Sequence, residues 1–96
     1  MKPWMHPTHR FEDAVDSIKA ELRSEAGPVL KALVDTYSQL FKDPWTFKNS
    51  DQRQGKNFLH TFYPGFVLVY RIEGEFQGEA TLIREHVYLK NILRKN

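Results

Sequence analysis

Apolar residues recur at spacings of three and four through Phe11, Ala14, Val15, Ile18 and Leu22, the pattern of a helix with one face turned toward a core. The periodicity stops by Arg23 or Ser24, and Gly27-Pro28 breaks the chain. Pro28 suits the first turn of a second helix, whose apolar set is Val29, Leu30, Leu33, Val34, Tyr37, Leu40 and Phe41. Asp43-Pro44 ends that helix, because a residue before proline is pushed out of the helical region. A short turn between two such helices predicts an antiparallel helical hairpin.

The period then changes to two. Phe58, His60 and Phe62 share one face of a strand expected near 58 to 63, and Pro64-Gly65 turns the chain. In a second strand near 66 to 73, Phe66, Leu68, Tyr70 and Ile72 oppose Val67, Val69 and Arg71. Glu73 to Gly78 reads as the next turn, and a third strand near 79 to 86 sets Ala80, Leu82, Arg84 and His86 on one face with Thr81, Ile83 and Glu85 on the other. Tyr88, Leu89, Ile92 and Leu93 return to helical spacing and predict a short final helix. Residues 46 to 57 are polar and read as a loop. Residues 1 to 9 contain two prolines and allow at most a short extended edge near Lys2 to Met5. The expected fold is α+β: a helical hairpin packed on an antiparallel three- to four-stranded sheet, in one domain over residues 1–96.

Composition agrees with a packed domain. Hydrophobic residues make up 41% of the chain and include seven Phe, four Tyr and two Trp, while the 27% of charged residues mixes both signs, unlike a disordered segment. A length of 96 residues leaves room for one core. Trp4 and Trp45 read as core or interface anchors. The chain has no cysteine, which excludes disulfides and thiolate metal sites. His6 and His9 have no further ligand at a recognised spacing, so neither a metal nor another cofactor is expected. No apolar run has the length of a membrane span and the amino terminus lacks the apolar region of a signal peptide, so a cytoplasmic protein without a membrane partner is expected. The formal net charge of +2 hides an asymmetry. Up to Phe41 there are five Lys or Arg against six Asp or Glu, and after it nine against six. The basic excess of the second part suits nucleic acid or an acidic protein partner.

The candidate chemistry lies in the third strand, which delivers Arg84, His86 and Tyr88 to its end. RNA cleavage by attack of the 2′-hydroxyl needs a base near that oxygen, an acid near the leaving 5′-oxygen and positive charge at phosphorus. Two histidines and an arginine supply all three, because one imidazole can be neutral while another is protonated at the same pH. His60 is the candidate second histidine if its strand neighbours the third. Plainer readings stand beside these. His86 suits a half-buried surface histidine, His60 a core-facing histidine bonded to backbone, Tyr70 a core residue and Tyr88 an exposed one.

Three features together resemble the RelE/ParE toxin superfamily of bacterial toxin–antitoxin systems: the amphipathic helical pair, the run Pro64-Gly-Phe-Val-Leu-Val-Tyr-Arg-Ile72, and the closing Arg84-Glu-His86-Val-Tyr88. The last two are similar to segments of YafQ-like and YoeB-like mRNA interferases. The resemblance spans residues 10 to 90 and implies a metal-independent endoribonuclease that cleaves mRNA on the ribosome and is neutralised by a cognate antitoxin. It implies His86 as general acid or base, Arg84 on the scissile phosphate, His60 as second histidine and Phe66 stacked on a base. Lys48, Arg53 and Lys56 of the loop would contact phosphates, with Tyr88 also on the RNA. The match departs from the pattern at three places. His60 is one residue further from Pro64, Gly65 replaces an acidic residue, and Val67 replaces a second arginine. Loss of the acidic residue and the second arginine suits the alternative of a ParE-like toxin that binds DNA gyrase and cleaves nothing; a further alternative is another binding protein on the same scaffold.

Overall fold

A computed structural model describes residues 1–95. The chain runs through β1 (Trp4–Pro7), α1 (His9–Leu22), a 3₁₀ turn (Arg23–Glu25), α2 (Ala26–Lys42), β2 (Gln52–Gln54), β3 (Asn57–Tyr63), β4 (Phe66–Gln77) and β5 (Thr81–Arg94). The five strands form one sheet in the order β1-β5-β4-β3-β2. Strands β2 to β5 are antiparallel neighbours, while β1 pairs with β5 in parallel.

The helices form as their apolar spacing dictates. Thr8 caps α1: its hydroxyl accepts from the Phe11 amide at 3.4 Å and donates to the Leu89 carbonyl at 2.8 Å, so one side chain satisfies a helix end and ties it to β5. At the far end Arg23 adopts φ 52° and ψ −115°, and the chain reverses. Phe11, Val15 and Lys19 of α1 face Leu30, Leu33, Val34 and Tyr37 of α2 across one groove, as an antiparallel hairpin requires. A side chain at this φ is strained and glycine is not. Arg23→Gly is therefore expected to raise stability by about 0.5–1 kcal/mol in urea unfolding, strain relief outweighing the added chain entropy.

The hairpin covers one sheet face. The core beneath it combines Phe11, Ile18, Val29, Leu33 and Leu40 with Phe58, Phe66, Leu68, Tyr70, Val87, Leu89 and Ile92. Strand alternation then places Arg71, Glu73 and Glu75 of β4, and Arg84, His86 and Tyr88 of β5, on the opposite, open face.

Four expectations are corrected. The sheet is mixed and five-stranded, because the segment after Pro3 joins β5 in parallel instead of ending at Met5. The polar loop contains a short strand, β2, paired with β3. The expected turn from Glu73 to Gly78 is mostly strand: β4 continues to Gln77 and β5 begins at Thr81. The final helix does not form, since β5 continues to Arg94. Its helical spacing comes from a β-bulge: Val69 pairs with Asn91 and Tyr70 with Leu89, leaving Lys90 unmatched. One extra residue turns Leu89 and Ile92, three apart, toward the same core.

Candidate active site on the open sheet face

The parallel pairing of β1 with β5 sets Trp4 beside His86 and His6 beside Tyr88. Across the other side of β5, Glu73 lies opposite His86 and Glu75 opposite Arg84. Six side chains from three strands therefore meet around His86. Its Nδ1 lies 2.8 Å from His6 Nε2, and its Nε2 lies 2.7 Å from Glu75 Oε1. A carboxylate only accepts, so Nε2 of His86 carries a proton toward Glu75. In neutral His86 the Nδ1 accepts from His6, and in protonated His86 it donates to His6. The two rings thus share one proton position across β1 and β5.

Arginines flank this pair. Arg84 Nε lies 3.3 Å from Glu75 Oε1, out of line for a hydrogen bond, and its buried N–H has no partner among the described residues. The Arg84 guanidinium sits 3.8 Å over the Trp4 ring. Arg71 pairs with Glu73, while its own buried Nε is likewise unpartnered. His6 is stacked on Tyr88 with ring centres 4.7 Å apart, and Trp4 meets His86 edge-on at 5.5 Å. Glu75 is more exposed than His86, at 43% of its side chain against 16%. An anion entering beside Arg84 can displace it.

His60 is elsewhere. Strand β4 separates β3 from β5, and His60 points to the helix-covered face, so it does not reach His86. It is core-facing as the plainer reading held, but its partner is a side chain: Nδ1 meets Asp51 Oδ1 at 2.6 Å, and the ring stacks on Phe47 at 3.8 Å. Tyr70 donates its hydroxyl to the other oxygen of Asp51, also at 2.6 Å. Burial and the Asp51 carboxylate, as hydrogen-bond acceptor and as charge, push the Tyr70 hydroxyl well above its ordinary range despite the lowering effect of Arg53. It stays a donor. Asp51 itself is 3% exposed, and this network pins the segment before β2 to the sheet.

The remaining assignments divide. Phe66 is 8% exposed and packs among Phe62, Tyr63 and the hairpin, so it cannot stack on a base. Tyr88 is half-buried in the His86 cluster and not fully exposed. Trp4, expected as an anchor, is 53% exposed. Lys48, Arg53 and Lys56 all lie at the surface, with Arg53 held 4.2 Å over Phe58. A groove of about 430 Å³ runs from Arg53 and Lys56 past Trp45 and Phe58 to Arg71 and Glu73. Arg53 pairs with Phe58 and so shares its helix-covered face, which sets this groove on the side of the sheet away from His86.

The site is an open-face array of two histidines, two arginines, two carboxylates and two large aromatics on an α+β domain with a helical hairpin behind it. No protein-family model matches the chain, and no curated protein matches it. No helix among the described residues is long and apolar enough to cross a membrane.

Proposed function

We propose that the protein is a toxin of the RelE/ParE kind, a metal-independent endoribonuclease that cleaves mRNA on the ribosome and is held inactive by a cognate antitoxin. The observation that supports this most is the direct His6–His86 contact beside Arg84. In this reading His6 takes the second-histidine role expected of His60. The ribose 2′-oxygen loses its proton to one imidazole and forms a bond to phosphorus. The bond from phosphorus to the 5′-oxygen breaks, and that oxygen takes a proton from the other imidazole. The products are a 2′,3′-cyclic phosphate and a 5′-hydroxyl end. Arg84, once Glu75 is displaced, neutralises the charge that builds at phosphorus.

The test is expression in growing cells with mapping of mRNA 5′ ends. New 5′-hydroxyl ends within translated messages support the reading, and none on translating ribosomes overturns it. A second reading, a ParE-like gyrase binder, is favoured by one observation: Glu75 already engages both Arg84 and His86. It predicts growth arrest without new ends.

Lys48, Arg53 and Lys56, all at the surface, are assigned to RNA phosphate. Each phosphate contact adds somewhat less than one unit to the slope of log affinity against log salt, about 0.7 for a single strand. Replacing all three by glutamine should flatten that slope by about two units. An unchanged slope would return the segment to a connecting role.

A further inference from the structure

The ribonuclease reading leaves one exposed group of the cluster without a task, the Trp4 ring. We propose that Trp4 is a base platform: it takes an unpaired nucleobase beside the phosphate at His86 and Arg84, and so sets where along the strand cutting occurs. This rests on the RNA reading of the same site.

Strand alternation turns Trp4 to the open face, since Met5 faces the core. It is 53% exposed. Pairing of Trp4 with His86 fixes its backbone. Its ring is fixed from two further directions, by the Arg84 guanidinium 3.8 Å over one face and by the His86 edge at 5.5 Å and 86°. A rigid aromatic backed by a cation is a favourable stacking surface, because little side-chain freedom is lost on contact and the guanidinium polarises the ring. The same Arg84 faces the phosphate in the ribonuclease reading. One residue therefore touches the base platform and faces the reacting group. Trp45 offers no such surface, since its Nε1 is spent on Glu85 and its ring leans on Phe58.

The occupant is an unpaired base of single-stranded RNA. Base stacking on an aromatic tolerates any sequence, so Trp4 would place the cut without dictating a codon. A protein partner would instead require an apolar surround, and the neighbours of Trp4 on this face are Arg84, His86 and His6.

The experiment measures binding to one 2′-O-methyl oligoribonucleotide, which cannot undergo 2′-hydroxyl attack, both free and carried as message on ribosomes. Trp4→Ala should weaken binding by about 5- to 150-fold on the substrate that the wild type binds, with the salt slope unchanged. Trp4→Phe should recover most of the loss. An oligonucleotide lacking the base at a single position near the cut should lose the same factor with the wild type and lose nothing further with Trp4→Ala. Equal binding by wild type and Trp4→Ala, with circular dichroism showing both folded, overturns the platform while leaving the RNA reading intact. Additive losses for Trp4→Ala and the missing base also overturn it. No wild-type binding to either form of the RNA overturns both.

Discussion

His86→Ala should reduce mRNA cleavage by about 10²- to 10⁴-fold while leaving ribosome binding nearly unchanged, because removing a general acid or base typically costs that much in rate. Arg84→Ala should weaken binding as well as cleavage, since a guanidinium on phosphate stabilises the bound substrate and the transition state alike. The two variants are comparable because both residues lie on the open face of β5, away from the core that Val87 and Leu89 build on the other side. Mapping 5′ ends after brief expression, with the amount of folded protein measured in parallel, separates the outcomes. Full cleavage by His86→Ala would remove this residue from the chemistry. Unaltered growth arrest by both variants, with no new ends even for the wild type, would move the protein to the gyrase-binding class.

The second large effect concerns stability. Asp51→Ala strands two buried donors, the Tyr70 hydroxyl and His60 Nδ1–H, each costing about 1–3 kcal/mol when left without an acceptor. A total near 3 kcal/mol is expected, a fall in Tm of roughly 12–20 °C for a domain of this size. Tyr70→Phe leaves one group unmet, Oδ2 of Asp51, where Asp51→Ala leaves two, and should cost less, about 1–2 kcal/mol. The two substitutions should be less than additive, because they act on one network. Tyr70 also predicts a pH effect. Its hydroxyl is held protonated in the fold well beyond its ordinary value near 10, so the unfolded chain loses this proton first. The contribution is complete below that pH and declines as pH rises above it. Thermal melts from pH 9 to 11 should show a steeper decline for the wild type than for Tyr70→Phe. Parallel curves would show that Tyr70 is not the group responsible.

Local periodicity made the two helices and much of β3, β4 and β5 legible, since each has an apolar face that its own residues define. Strand alternation also put Arg84 and His86 on one face and Glu85 on the other. What escaped is what depends on distant pairing. The helical spacing at Leu89 and Ile92 is produced by an unmatched Lys90, and only the partner strand reveals a bulge. His60 and His86 look equally available in one dimension, and β4 separates them in three. His6 was visible as a histidine near two prolines, but nothing local indicates that its strand lies parallel to β5. Trp4 reads in sequence as a core or interface anchor; its exposure excludes the core, and only the pairing of β1 with β5 shows that His86 and Arg84 lie beside it.

The contact between His6 and His86 spans 80 positions, and this has a consequence for how the protein is made. Loop closure over such a distance costs entropy that no local contact repays, so elements joined this way tend to assemble late. The helical hairpin can form as soon as it emerges from the ribosome, whereas the His6–His86 pair waits for β5. A nascent chain would therefore carry the helical scaffold without the histidine cluster, which can assemble only after residue 86 has cleared the exit tunnel.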